Sequence, residues 1–340
     1  MSKVVTFGEI MLRLNPEGCR RFVQADRFEA SYAGGEANVA VSLANYGHEA
    51  VFVSKVPEHE IGQTAVNELR RYGVDTRWIA RGGDRLGIYF AEKGASQRPS
   101  KVIYDRAGSS FARSDASSYS WGGIFAGADW FHFTGITPAL GGCLPQLCLA
   151  ACRRAKEMGL VVSCDLNYRE KLWSRQEAGR VMAELMPYVD VCIANEEDAN
   201  DIFGIAAEDT DPAAGRLSRE GYVSVAKRLT ERFHFQKVAI TLRGSISASD
   251  NDWAGMLYGD GRACFSDTYR MHIVDRVGGG DSFGGALIHA LLSGWDGQQA
   301  ISFAAAASCL KHTIEHDFNL VTAAEVHALA EGNASGRVQR

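Results

Sequence analysis

The feature that most constrains the fold of this chain is an alternation of short apolar segments with longer amphipathic ones. Segments such as LVVSCDL (160–166) and VAITL (238–242) carry apolar residues in runs, without the regular polar alternation of a half-exposed strand. Strands of that kind are typical of parallel sheets covered on both faces. The amphipathic segments have helical periodicity and end near glycines such as Gly73 and Gly159. The sequence therefore predicts a doubly wound α/β sandwich.

The predicted elements form a single large domain over residues 1–335. We predict strands at 4–14, 50–56, 130–134, 160–166, 190–194 and 237–242, and helices at 36–46, 61–72, 145–158, 175–186, 196–203, 223–233, 281–292, 298–312 and 323–330. Two insertions, at about 12–33 and 82–110, interrupt this rhythm and contain strand-like segments such as GIYFAEKG and SKVIYDRAG. We expect them to pair into a small sheet that covers one edge of the domain. Residues 205–221 indicate a polar surface insertion.

Composition excludes several classes of protein. The chain has 340 residues, of which 46% are hydrophobic and 23% charged, so it can bury a large core. Its net charge of −5 argues against a nucleic-acid-binding surface. No signal peptide and no apolar run long enough for a membrane span is visible, so we expect neither secretion nor a membrane partner. Cys148 and Cys152 are i, i+4 on a predicted helix without a nearby second ligand pair, which favours core thiols and a reduced, cytoplasmic protein.

The strongest chemical signal is the segment VDRVGGGDSFGGALIHALL at 274–292. Gly278, Gly279 and Gly280 at the start of a helix leave backbone N–H groups unobstructed, and with the helix dipole these N–H groups can bind an anion. Asp281 could then accept a proton from a hydroxyl that attacks a phosphate held there. The alternative is that Asp281 caps the helix and the glycines form a tight turn.

Two shorter strings indicate other enzymes but lack the required context. Residues 280–284 match the G-x-S-x-G elbow of hydrolases around Ser282, with little chain left for the acid and histidine partners. His312, Glu315 and His316 match H-x-x-E-H without an evident third zinc ligand. The chain has no G-x-x-x-x-G-K-[ST] and no G-x-G-x-x-G after its first strand, so it is neither a P-loop enzyme nor a dinucleotide-binding Rossmann protein.

A second glycine pair opens the first predicted helix. Gly34 and Gly35 allow close approach of a ligand, and Asn38, one turn further, could bind hydroxyl groups. Together with the 274–292 segment, this motif resembles the two signatures of the ribokinase-like (PfkB) carbohydrate kinases over residues 3–330. Within that family the 87–90, 102–107, 165–173 and 310–318 segments resemble the 2-keto-3-deoxygluconate kinases.

The resemblance implies a three-layer α/β/α sandwich with a mostly parallel sheet and a small β-sheet lid formed by the two insertions. It implies that Asp281 is the base and that Gly278–Gly280 form the anion site. It also implies that Gly34, Gly35 and Asn38 bind the substrate. The side chains that would read an acid sugar are Tyr89, Tyr104, Arg106, Arg169 and Asp317. This assignment agrees with chemistry, since arginine binds carboxylates through two parallel hydrogen bonds.

The nucleotide side departs from the family pattern. Asn195 begins a motif whose last acid is Asp198 instead of Glu, which implies a Mg²⁺ contact through water. The ATP loop, usually T-L-G-x-x-G, reads here from Thr241 with Arg243 in place of a glycine and then Gly244. Gly278 and Gly280 would also contact the nucleotide. Asp275 corresponds to a position associated with a monovalent cation such as K⁺.

The sequence thus predicts an ATP-dependent, Mg²⁺-requiring kinase that phosphorylates a primary hydroxyl of a small keto sugar acid, with 2-keto-3-deoxygluconate giving its 6-phosphate. Two alternatives stay open: a kinase of the same fold acting on a neutral sugar or nucleoside such as fructose or ribose, and a catalytically silent sugar- or nucleotide-binding protein. The edges of the lid strands could pair between subunits, which suggests a homodimer or higher homo-oligomer.

Overall fold

The computed structural model of the protein describes residues 1–195, 197–207 and 218–333. Its strands are β1 Lys3–Phe7, β2 Met11–Asn15, β3 Glu29–Ala33, β4 Glu49–Val56, β5 Ile79–Arg81, β6 Gly87–Glu92, β7 Lys101–Asp105, β8 Trp130–Thr134, β9 Val161–Asp165, β10 Val191–Ala194, β11 Lys237–Ser245, β12 Asp250–Gly259, β13 Arg262–Phe265 and β14 Tyr269–His272. Its α-helices are α1 Gly35–Asn45, α2 Glu60–Arg71, α3 Trp121–Ile124, α4 Ile136–Ala139, α5 Leu144–Glu157, α6 Arg175–Leu185, α7 Asp198–Phe203, α8 Arg219–Phe233, α9 Gly279–Leu292, α10 Gly297–Lys311 and α11 Ala323–Ala330.

The predicted α/β sandwich with a mostly parallel sheet is confirmed. The large sheet has the strand order β13-β12-β11-β10-β9-β8-β1-β4-β5, with β14 also paired to β12. Pairing is parallel from β11 through β5 and antiparallel around β12. One hydrophobic cluster joins one face of this sheet to α5, α6 and α8, and a second joins the other face to α1, α2, α9 and α10. Two helical layers therefore enclose the sheet, as its apolar strands require.

The prediction of one strand over 4–14 is wrong. The chain leaves the large sheet after Phe7 and enters a second sheet at Met11. At the break, a Cβ on Gly8 would lie 2.0 Å from a side-chain oxygen of Glu36, so only glycine fits at this position. The apolar pattern runs through the break because β1 is buried on both faces and β2 buries alternate residues, and that pattern does not reveal a change of sheet.

The second sheet, called here the small sheet, has the order β3-β2-β6-β7. The faces alternate as strand geometry requires: Arg13 and Tyr89 are buried, whereas their neighbours Leu14 and Phe90 are only partly covered. The strands come from residues 11–33 and 87–105, so two separate stretches of chain build the small sheet.

Three further sequence expectations concern the periphery. The helix predicted at 196–203 begins at Asp198, and Glu196 lies outside the described residues. The insertion predicted at 205–221 includes residues 208–217, which also lie outside them. Within the described residues, no helix is both long enough and apolar enough to cross a membrane.

Candidate active site

The candidate site lies where parallel strands end. The carboxyl ends of β1, β8, β9 and β10 meet at one edge of the large sheet, the edge at which open α/β sheets bind ligands. A cavity of about 550 Å³ opens there, and the small sheet contributes Met11, Tyr89 and Tyr104 to its wall. The cavity is large enough for a small sugar together with phosphate groups.

The two glycine motifs from opposite ends of the chain meet in this cavity. Gly35 begins α1 and Gly279 begins α9, and both helices point their N-termini into the cavity. The Asn38 side-chain amide donates a 2.6 Å hydrogen bond to the Asp281 carboxylate. A Cβ on Gly34 would lie 1.9 Å from the carbonyl oxygen of Glu9, so this helix entry has room only for glycine.

The glycine-rich turn is shaped by close packing on one side and open space on the other. Gly278 has φ +84°, and a Cβ there would lie 2.0 Å from the backbone oxygen of Asp317. By contrast, a Cβ on Gly280 would have nothing within 4 Å, since this residue faces the cavity. The first amides of α9 are therefore accessible to an anion at the positive end of the helix dipole.

Asp281 lies in the first turn of α9 beside these amides. Enclosure by the surrounding protein raises the pKa of its carboxyl to about 7; the Asn38 hydrogen bond opposes this rise, and the nearby carboxylates of Asp317 and Glu36 add to it. A carboxylate with a pKa near neutrality is well matched to accept a proton from a hydroxyl group. The arrangement thus combines an anion site and a base within one helical turn.

Two more carboxylates line the same cavity. Asp165 ends β9, and burial, with added repulsion from Asp198 and Asp281, raises the pKa of its carboxyl well above the ordinary value. Asp198 accepts backbone N–H groups of Tyr168 at 3.0 Å and Asn195 at 2.8 Å. Carboxylate oxygens are ligands that Mg²⁺ prefers. Sequence reasoning did not select Asp165, although its position at a strand end was a usable signal.

The residues expected to read an acid sugar all line the cavity, but Arg106 has a partner that the sequence did not reveal. Its Nε and Nη2 contact one carboxylate oxygen of Glu9 at 2.9 and 2.5 Å, and the hydroxyl of Ser109 binds the other oxygen. The guanidinium also lies over the ring of Tyr104. Arg106 is thus fixed and partly neutralised, with Nη1 outside the contact to Glu9.

Arg169 is held more loosely. It follows β9, and its Nη1 donates a 2.9 Å hydrogen bond to the backbone oxygen of Tyr168. Its charge opposes the rise in the pKa of both Asp165 and Asp281, which places Arg169 within electrostatic reach of the acids in the cavity.

A buried ion-pair network connects the small sheet to the glycine-rich turn. Arg13 on β2 contacts Asp317 at 2.7 Å and Asp275 at 2.6 Å, and all three side chains are at most 3% exposed. The other oxygen of Asp317 accepts the hydroxyl of Tyr89 at 2.7 Å. Arg13 was missed because an arginine within an apolar strand segment carries no sequence signal for two distant carboxylates.

The stretch expected to be the ATP loop is not a loop. β11 continues through Gly244 to Ser245 and pairs with β12, so Thr241 and Arg243 point from a strand into the cavity. Gly244 is not among the residues that line the cavity, nor is Asp275. The strand continues because β12 offers antiparallel partners, which a local pattern does not reveal. Trp253 and Arg276 join this wall and were not anticipated.

The structure argues against the competing motifs. Ser282 is 1% exposed, and its hydroxyl has no hydrogen-bond partner within the described ranges, so no base activates it. The His312 ring bonds the backbone of Ser308, whereas His316 contacts Glu29, so these two histidines do not form one metal site. Cys148 and Cys152 are fully buried core thiols.

An α/β fold in which a helix N-terminus that can bind an anion lies beside a carboxylate that can accept a proton defines the protein as a phosphotransferase. The family model "pfkB family carbohydrate kinase" matches residues 1–315, and the chain belongs to that family. The resemblance seen in the sequence is thereby confirmed.

Comparison with individual proteins gives the same result over nine-tenths or more of this chain. A 2-dehydro-3-deoxygluconokinase structure from Thermotoga maritima is 52% identical, with a TM-score of 0.95 over 98% of this chain and 100% of that one. A 2-dehydro-3-deoxygalactonokinase from Haloferax volcanii is 34% identical over 98% of both chains. A 2-dehydro-3-deoxygluconokinase from Thermoproteus tenax is 28% identical over 91% of this chain and 88% of its own.

Proposed function

We propose that this protein transfers the γ-phosphoryl group of ATP to a primary hydroxyl of a keto sugar acid, with 2-keto-3-deoxygluconate converted to its 6-phosphate. The observation that carries the proposal is the Asn38–Asp281 contact at the N-terminus of α9, beside a cavity that also holds Arg106 and Arg169. The sugar-acid kinase activities of two relatives that match over nearly the whole chain support the same substrate class.

Different residues carry out proton transfer and charge stabilisation in this reaction. The ionised Asp281 accepts the proton of the attacking hydroxyl, and Asn38 keeps its carboxylate aimed at that hydroxyl. The amide of Gly280, which faces the cavity, and that of Gly279, whose hydrogen bond to the carbonyl oxygen of Arg276 is long at 3.4 Å, would stabilise the charge on the transferring phosphoryl oxygens. Arg243 and Arg276 provide positive charge on the nucleotide side of the cavity. Closure of the small sheet as a lid would exclude water and suppress hydrolysis of ATP.

The acids of the cavity fit a divalent cation. Asp165 and Asp198 would hold Mg²⁺, with Asp198 acting through water because both of its oxygens already accept backbone N–H groups. When bound, Mg²⁺ offsets negative charge on the phosphate oxygens.

Substrate recognition would fall to the charged and aromatic side chains on the other side of the cavity. Arg169 and the free edge of Arg106 would bind the carboxylate, while Tyr89 and Tyr104 enclose the sugar. The test is release of ADP in a coupled assay with a panel of 2-keto-3-deoxygluconate, its galactonate epimer, fructose and ribose. Turnover of the acids above the neutral sugars is expected, and preference for ribose or fructose would reject the substrate class. Absence of turnover with every sugar would favour a silent binding protein.

We also propose that the protein forms a homodimer through the small sheet. β3 and β7 are its edge strands, and Val23, Phe28 and Ile103 nearby are 90%, 39% and 44% exposed. Light scattering after gel filtration should give twice the chain mass. Ile103→Asp should then give the mass of one chain; a wild-type monomer would reject this proposal.

A further inference from the structure

Asp275 has both carboxylate oxygens engaged. Oδ2 accepts Nη2 of Arg13 at 2.6 Å and the backbone N–H of His316 at 3.2 Å. Oδ1 accepts the backbone N–H of Val277 at 3.2 Å. The side chain is 2% exposed, so these donors replace water around it. A cation that used this carboxylate as a ligand would have to compete with the guanidinium of Arg13.

The backbone oxygen of Asp275 also faces a positive charge. Lys311, the last residue of α10, is fully buried and places its ammonium 3.1 Å from that oxygen. Burial lowers the pKa of Lys311, and the charges of Asp275, Asp317 and Asp281 oppose that effect. A buried lysine is costly unless its charge is matched, and these acids offset part of that cost.

The charge balance of this region therefore has no place for another cation. Arg13, Lys311 and Arg276 contribute three positive charges, and Asp275, Asp317 and Asp281 contribute three carboxylates. A monovalent cation bound by Asp275 would lie beside the fixed cations Arg13 and Lys311 and be repelled by them. The residues present thus do not fit the K⁺ that the family resemblance associates with Asp275.

The backbone at Asp275 is held by the end of α10, just before the glycine-rich turn. The backbone N–H groups of Val274 and Asp275 both point at the carbonyl oxygen of His312, at 2.8 and 3.2 Å. His312 directly follows Lys311, so the end of α10 fixes the segment that leads into Gly278. A change of charge at Lys311 would therefore reach the amides that bind phosphate.

We propose that Lys311, together with Arg13, supplies from within the chain the positive charge that a bound monovalent cation would otherwise place behind the glycine-rich turn. Lys311 is then a positioning residue, and phosphoryl transfer proceeds without K⁺. The inference rests on the proposed kinase function for its kinetic test, but its binding test does not need turnover.

The kinetic test replaces KCl by choline chloride at constant ionic strength. The wild-type kcat should change by less than twofold. Lys311→Met should lower kcat at least tenfold, and Lys311→Ala, which leaves space, should regain at least threefold in about 100 mM K⁺ or methylammonium. Lys227→Met, at an exposed position of α8, is the matched control and should behave like wild type. Activation of wild type fivefold or more by K⁺, or full activity of Lys311→Met without K⁺, would overturn the proposal.

The binding test uses the thermal unfolding midpoint of wild type in KCl and in choline chloride. Equal midpoints within about 1 °C are expected, and a rise of several degrees that is specific to K⁺ would overturn the proposal even if Lys311→Met fails to fold. If no sugar is phosphorylated at all, the proposed function fails, and the unfolding experiment still decides whether the chain binds K⁺.

Discussion

Asn38 and Asp281 are 243 positions apart in the chain, yet the side-chain amide of the first donates a 2.6 Å hydrogen bond to the carboxylate of the second. The contact joins the first turns of α1 and α9, each of which begins at a glycine beside the cavity. Asn38 therefore orients the carboxylate and lowers its pKa against the effect of burial. Both the proton transfer and its pH dependence are expected to depend on this pair.

Asp281→Asn should abolish most of the activity while the protein stays folded. The amide keeps the shape of the carboxylate and can still accept the Asn38 hydrogen bond, but it cannot take a proton. We expect kcat to fall about 10²–10⁴-fold, the usual effect of a general base, in the coupled ADP assay. Asp260→Asn, at an exposed turn, is the control. Activity within tenfold of wild type would show that another group is the base.

The pH profile should follow the ionisation of Asp281. Because the base must be deprotonated, kcat/KM should rise with pH and reach half its plateau near pH 7. Asn38→Ala removes a hydrogen bond that favours the ionised form, so its profile should move to higher pH. Rates measured from about pH 5.5 to 9 test both statements. If kcat/KM rose at the same pH in both proteins, the proposed effect of Asn38 on the pKa of Asp281 would be contradicted.

Asp281 should also make wild type less stable as pH increases. Its pKa is about 7 in the folded protein against 3.8 ordinarily, so the native state binds more protons between these values and loses stability as pH rises through them. Asp281→Asn has no such loss. Its advantage in the free energy of unfolding should therefore grow by about 2 kcal/mol between pH 4 and pH 8, allowing for partial solvation of the carboxylate. Urea unfolding at several pH values measures it, and a constant difference would contradict the raised pKa.

The fold could be predicted from the sequence because the evidence for it is local. Apolar strand runs and helix-ending glycines are properties of single segments, and the large sheet followed from them. Asp281 and the Gly34–Gly35 pair could be selected as candidate site residues for the same reason, since each motif lies within a few consecutive residues. The failure at 4–14 is instructive: two strands of different sheets follow each other with one continuous apolar pattern.

What the sequence did not reveal is pairing across the chain. Glu9 neutralises Arg106 from 97 positions away, and Arg13 reaches Asp275 and Asp317 over more than 260 positions. Nothing in the local pattern around Glu9 or Arg13 distinguishes these residues from solvated charges. Such partners decide how much of a charge is available to a ligand, so they change the interpretation of a site even where its residues were identified.

Arg13→Met should strongly destabilise the protein, because it leaves Asp275 and Asp317 buried without their shared cation. Loss of one partner from a buried ion pair costs about 3–5 kcal/mol. The midpoint and slope of urea unfolding give the change in free energy. Arg77→Met removes a contact of equal length to Asp75 from a side chain that is 75% exposed, and should cost less than about 1 kcal/mol. Equal effects of the two variants would contradict the role assigned to burial.

Arg106→Ala should raise the KM for a keto sugar acid far more than the KM for a neutral sugar. The variant removes a cation that faces the substrate carboxylate and also leaves Glu9 without its ion-pair partner, so that the charge of Glu9 repels that carboxylate. We expect at least a tenfold increase for the acid and less than threefold for fructose, since hydrogen bonds to charged groups contribute about 1.5–3 kcal/mol. Initial rates with both substrates measure the two values.

The double variant Glu9→Gln/Arg106→Ala separates the two causes. If repulsion by Glu9 contributes, the double variant should bind the acid more tightly than Arg106→Ala alone, while its KM for the neutral sugar stays the same. Arg169→Ala provides the comparison, because its guanidinium contacts a backbone carbonyl instead of a carboxylate. That variant should raise the KM for the acid without any recovery when Glu9→Gln is added. Parallel changes for acid and neutral sugar in both Arg106→Ala and Arg169→Ala would mean that neither arginine reads the carboxylate.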